Sequence, residues 1–86
     1  MNHEAFTEAI DAHLAAADGE LTRRSTVIDG LLDLRAEAAT DSDLVAEIDG
    51  CLGAAPGVSV TPTKWWMAEL RRLRAVADAV AVAAPA

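Results

Sequence analysis

The strongest pattern in this sequence is a stripe of apolar residues towards its carboxyl end, which recur at spacings of four and three. Residues at these spacings share one face of an α-helix. The stripe consists of Trp66, Leu70, Leu73, Ala77, Val80 and Ala84. Just before it, Thr61 is a suitable helix cap and Pro62 suits the first helical position, where its missing N–H is not needed. The sequence therefore predicts one long helix over residues 62–83.

Three shorter helices are predicted earlier in the chain, near residues 3–18, 21–39 and 41–52, because apolar residues recur there with a helical period. The second of them has a broad apolar face, which would suit a central helix or a subunit interface. That face consists of Leu21, Ile28, Leu31, Leu32, Leu34 and Ala38.

Capping residues support the ends of these helices. Asn2 precedes the first helix, and Gly19 is placed to end it. Either Thr40 or Asp41 caps the third.

Residues 53–60 break the helical pattern at Pro56-Gly57 and are predicted to form an inter-helix loop. Val58-Ser59-Val60 is expected to be extended, although one short alternation does not establish a strand. Few aromatic residues and much alanine, leucine and valine suit closely packed helices. We therefore predict an all-α fold, a small four-helix domain that comprises residues 1–86 as a single unit.

A faint internal repeat joins Ile28-Asp29-Gly30 to Ile48-Asp49-Gly50. Duplication would explain it, and so would two helices that each need a small residue at a close crossing. So short a match also arises by chance, which is the simplest interpretation.

The charge of the chain is acidic and unevenly distributed. A formal net charge of −7 argues against a general affinity for nucleic acid or an anionic membrane. Residues 1–55 contain twelve of the fourteen acidic residues, whereas residues 56–86 contain only two. The second segment also contains four basic residues, Lys64, Arg71, Arg72 and Arg74.

Residues on the long helix and one arginine on the second helix are candidates for binding a protein partner, because tryptophan, methionine and arginine are enriched at interface centres. These candidates are Trp65, Met67, Arg71, Arg72, Arg74 and Arg35. Two alternatives stay open: the large side chains cover neighbouring helices of the same chain, and the arginines neutralise its acidic faces. Arg35 falls within an apolar face, where it would extend its charge to solvent or pair across a subunit interface.

No catalytic, metal or cofactor motif is found. Neither His3 nor His13 follows an acid by three residues, as a di-iron bundle requires. Ala46 occupies the position where a calcium loop needs glycine. Cys51 lies on an apolar face and is interpreted as a packing residue. A single cysteine and the absence of a signal-like start predict a cytoplasmic protein.

The predicted function is therefore non-enzymatic: an adaptor or assembly subunit, bacterial or phage, that binds a protein partner or itself. One alternative is an acidic regulator of a basic or nucleic-acid-binding protein, which would use the acidic rows of the first two helices. The other is a DNA-binding regulator that uses the C-terminal helix, although the net charge disfavours nucleic acid as a partner.

Overall fold

The computed structural model describes residues 2–83, which form four α-helices and one two-stranded antiparallel ribbon. The elements in chain order are α1 His3–Ala16, β1 Leu21–Arg23, α2 Arg24–Glu37, α3 Ser42–Ala54, β2 Val60–Pro62 and α4 Thr63–Ala83. About 75% of the described chain is helical, which confirms the all-α class and the small four-helix domain.

Two predicted helix caps are present in the structure. The side chain of Asn2 accepts a hydrogen bond from the Ala5 N–H at 3.0 Å, and α1 begins at the next residue. Asp41, the second of the two candidates, caps α3 by accepting from the Leu44 N–H at 2.9 Å. The end of α1 comes two residues earlier than predicted, and Gly19 then adopts a positive φ of 74° in the turn that follows.

The predicted start of the long helix was wrong by one residue, because Thr61 and Pro62 belong to β2 and α4 begins at Thr63. The Thr61 hydroxyl does not cap the helix. It is buried and donates to the Pro56 carbonyl at 2.9 Å, which fixes the loop before the strand. Of the segment predicted to be extended, only Val60 lies in a strand.

α2 begins at Arg24, three residues after the predicted bound near residue 21, because Leu21–Arg23 form β1 and pair with β2. Thr22 lies opposite Thr61, and the Thr63 N–H donates to the Glu20 carbonyl just beyond the ribbon. Hydrogen-bonded pairs alternate along an antiparallel ladder, so the nitrogen of Pro62 points away from β1. A proline is tolerated there because no ladder bond requires its missing N–H.

The four helices enclose one apolar core that includes most of the predicted α4 stripe. Trp66 is its largest side chain and is only 2% exposed. Val80, near the end of α4, is half-buried, and Ala84 lies outside the described residues. The buried apolar residues are Phe6, Ile10, Val27, Leu31, Leu34, Ala38, Leu44, Ile48, Cys51, Trp66, Leu70, Leu73 and Ala77.

The buried face of α2 is narrower than predicted. Leu32 is 50% exposed, and Leu21 lies in β1 with 59% of its surface exposed. Val27 and Gly30 are buried instead. The face therefore turns towards α1, α3 and α4, and it does not extend around more than half of the helix.

Gly30 of α2 lies against the indole ring of Trp66 from α4. A Cβ atom added there would come within 2.8 Å of Trp66 Cζ2 and 3.4 Å of His13 Cε1. At Gly50, the matching position of the faint repeat, an added Cβ would meet no atom within 4 Å. The first glycine of the repeat therefore makes room for two side chains, and the second has no such role.

This difference predicts opposite effects of the same substitution at the two positions. Gly30→Ala should lower the free energy of unfolding by about 1–3 kcal/mol, because the buried indole ring has to shift. Gly50→Ala, the matched control, should raise it by up to about 1 kcal/mol through helix propensity alone. Urea denaturation followed by circular dichroism measures both, and stabilisation by Gly30→Ala would show that the indole does not occupy this position.

Candidate functional site

The orientation of α4 decides which of its side chains are available to a partner. With Trp66 directed into the core, successive residues on either side of it diverge by about 100° around the helix. Trp65 lies on one side, half-buried and packed against the core cluster. Met67 lies on the other side and is also half-buried. The two predicted partner-binding side chains therefore face different surroundings.

Arg72, on the same side of α4 as Trp65, binds residues of α3. Its Nη1 lies 2.6 Å from Glu47 Oε2, and its Nη2 lies 2.9 Å from Glu69 Oε2. The same Nη2 donates to Cys51 Sγ at 3.0 Å, and this thiol donates to Glu69 at 3.1 Å. The hydrogen bonds that Arg72 donates to Glu47 and Glu69 raise the pKa of its guanidinium group. We call these four side chains the α3–α4 cluster.

Cys51 is protonated at neutral pH in this cluster. Burial raises the pKa of its thiol most, and the hydrogen bond and negative charge of Glu69 raise it further, to about 11. Arg72 acts in the opposite direction but does not cancel these effects. Since the thiolate is the nucleophilic form of cysteine, the structure gives Cys51 a packing and hydrogen-bonding role.

Two other predicted partner-binding arginines also form ion pairs within the chain. Arg74 pairs with Asp11 of α1. Arg35 Nε lies 2.9 Å from Asp49 Oδ1 of α3, and its half-exposed side chain lies outside the core. Exposed pairs of this kind contribute at most about 1 kcal/mol each. Their role in partner binding stays a prediction.

Lys64, Met67 and Arg71 line an open groove of about 420 Å³ beside α4, which is closed on its far side by the turn from α1 to β1. Thr63, Gly19 and Glu20 complete its lining. Within residues 2–83, neither Lys64 nor Arg71 forms an ion pair. Of the predicted residues, the structure therefore brings Met67 and Arg71 together in a groove whose two cations form no ion pair and whose lining includes one acid, Glu20.

The ribbon, which is flanked by Glu20 and Thr63 of the groove, exposes apolar side chains that sequence analysis did not select. Leu21 is 59% exposed, Val60 is 40% exposed, and Val58 beside the ribbon is 95% exposed. Arg23 lies opposite Val60 in the register. We define the ribbon-end surface as Leu21, Arg23, Arg24, Val58, Val60, Lys64, Met67 and Arg71.

A smaller cavity of about 220 Å³ lies between the end of α1 and β1. His13 lines it and approaches Asp33 Oδ2 at 3.0 Å through Nε2, while its ring meets the edge of Trp66 at a centroid separation of 6.1 Å. The hydroxyl of Thr22, which also lines this cavity, forms a hydrogen bond of 2.6 Å with the hydroxyl of Thr63. This arrangement fixes the ring of His13 between three helices without placing a thiol or serine beside it.

No protein-family model matches this chain, and comparison with curated proteins and with solved structures gave no significant match. Among residues 2–83, no three histidine, cysteine or acidic side chains are grouped so that they could hold a metal ion. None of the helices in that range has the apolar length that crossing a bilayer requires. The candidate surface is therefore argued from its own geometry and charge.

The α3–α4 cluster predicts a measurable effect on the Cys51 thiol. Glu69→Gln should lower the pKa of Cys51 from about 11, because one negative charge that disfavours the thiolate is removed. Titration of thiolate absorbance in the ultraviolet measures this midpoint. Asp43→Asn, at an exposed acid of α3 without an ion pair in the described chain, is the control. An unchanged midpoint in Glu69→Gln would contradict the hydrogen bond from the thiol.

Proposed function

We propose that this chain is a non-enzymatic protein-interaction subunit that binds its partner through the ribbon-end surface. The observation that carries this proposal is the distribution of its seven basic residues. Three of them, Arg35, Arg72 and Arg74, form ion pairs with acids of the chain. The other four form none within residues 2–83 and belong to the ribbon-end surface: Arg23, Arg24, Lys64 and Arg71.

This distribution is notable because the chain has fourteen acids against seven basic residues. Because acids are in such excess, every basic residue could have formed an ion pair within the chain. Arg23 instead lies opposite the exposed Val60 in the ribbon, and Lys64 and Arg71 line the groove with the half-buried Met67. Apolar side chains with methionine and arginine at the centre and charges at the rim are typical of protein interfaces.

The two alternative functions have weaker support. In the acidic rows of α1 and α2, Asp11 pairs with Arg74 and Asp33 contacts His13, so neither row is wholly available to a basic partner. DNA binding through α4 has less support because Arg72 and Arg74 form ion pairs with acids of the chain. A cytoplasmic location, a bacterial or phage origin and self-association remain predictions.

Site-specific photo-cross-linking tests the proposal. A benzophenone amino acid at Met67 should give a covalent adduct with a protein in the cells that produce this chain. The same group at the exposed Ala36, far along α2 from the ribbon, is the control and should give none. Equal adducts from both positions, or none from either, would contradict binding at this surface.

The captured partner then allows an affinity measurement. Met67→Ala should weaken its binding by about tenfold or more, as truncation of a central interface residue does. Asp29→Asn, in the acidic row of α2, should change the affinity by less than about twofold, the scale of an energetically neutral contact. Isothermal titration calorimetry measures both. A larger loss from Asp29→Asn would favour the acidic-regulator function instead.

A further inference from the structure

We propose that the ribbon-end surface binds an acidic segment of its protein partner, with carboxylates at Lys64 and Arg71 and an apolar side chain between them on Met67. This inference rests on the proposed function, because it names the chemistry of the partner at the same surface. It is carried by three features: the charge asymmetry of the chain, the spacing of the two cations, and the apolar residues between and beside them.

The groove has the opposite charge to the rest of the chain. Lys64 and Arg71 share its lining with one acid, Glu20, which gives 2 − 1 = +1. The remaining residues contain five cations and thirteen acids, which gives 5 − 13 = −8, and the two parts sum to the formal −7. An acidic partner is therefore repelled by most of the molecule and attracted at one end. Such asymmetry orients a partner during encounter.

The distance between Lys64 and Arg71 along α4 determines how far apart the two acids of the partner segment have to be. Lys64 and Arg71 are separated by about two helical turns, or about 10 Å along the axis. Met67 lies between them, and all three line the same groove. In an extended chain, side chains two positions apart share a face, and residues four positions apart span about 13 Å. A segment with two acids four positions apart and an apolar residue midway therefore presents all three side chains to the groove, and the long side chains of Lys64 and Arg71 cover the remaining distance.

The exposed apolar side chains of the ribbon favour a protein segment over nucleic acid as the partner. Leu21, Val58 and Val60 are exposed next to the cations, and a phosphate backbone has no apolar group to place against them. A duplex would also bring its charge close to the net −8 of the remaining residues. The cations can instead pair with carboxylates while the apolar residues lose water contact to the partner's side chains.

A titration with defined probes tests this inference. The ¹⁵N-labelled full chain is titrated at physiological salt with a blocked peptide of sequence Ser-Glu-Ser-Leu-Ser-Glu-Ser, and amide chemical shifts are recorded. We expect saturable shifts confined to the ribbon-end surface and the adjoining turn. The same peptide with lysine in place of glutamate should cause none, because like charges then meet.

Charge variants with a matched control test the role of the two cations. The double variant Lys64→Gln with Arg71→Gln removes two positive charges. It should lower the affinity for the acidic peptide by about tenfold or more, which corresponds to about 1.4 kcal/mol. Ala36→Glu with Ala46→Glu reaches the same net charge at exposed helix positions away from the groove. This control should change the affinity by less than about twofold, as expected for distant exposed charges that salt screens.

Several outcomes would overturn the inference. Equal binding of the lysine peptide would show that apolar contact alone is responsible, and equal weakening by both double variants would show that only net charge matters. Tighter binding of a short DNA duplex at the same salt would favour nucleic acid. A shift of the unliganded protein to twice its mass at the titration concentration would favour a second copy. If a partner cross-links at Met67 but the acidic peptide does not bind, the proposed function stands and this inference fails.

Discussion

The arrangement of the helices depends on the packing of the Trp66 indole ring against Gly30 of α2. Only a residue without a side chain fits there, since a Cβ atom would lie 2.8 Å from the ring. His13 of α1 meets the same ring at a centroid separation of 6.1 Å. Three helices therefore converge on one side chain. Because the ring is wide and nearly fully buried, this packing fixes the rotation of α4 about its own axis.

That rotation separates the functions of neighbouring side chains on α4. Arg71 and Arg72 are adjacent in sequence but point about 100° apart. Arg72 reaches Glu47 and Cys51 of α3, whereas Arg71 lines the groove beside Met67. Arg74 and Asp78, further along the side of Arg71, pair with Asp11 and His3 of α1, so the available part of that side is its first half, from Lys64 to Arg71. The ribbon adds exposed apolar side chains at the same end of the molecule, because the residues that flank it also line the groove.

Patterns within single helices were predictable from the sequence, and contacts between distant segments were not. The stripe with Trp66 and the caps Asn2 and Asp41 were found because each depends on residues a few positions apart. The pairing within the ribbon was not predicted, because only Val60 fell in a segment expected to be extended, while Leu21 and Pro62 were assigned to helices. At the candidate site, Met67 and Arg71 were selected from side-chain type. Which arginines are paired depends on acids of other helices, such as Asp11 for Arg74, and no local pattern shows that.

The central claim is that Arg72 holds α4 to α3, whereas Lys64, Met67 and Arg71 in the first half of α4 are available to a partner. The most direct test compares Arg72→Ala with Arg71→Ala in the free energy of unfolding at neutral pH. Arg72→Ala should cost about 1–3 kcal/mol, because it leaves the partly buried Glu69 without its cation. Arg71→Ala should stay within about 0.5 kcal/mol of the wild type, as exposed substitutions do. Equal losses from the two variants would contradict this division of α4.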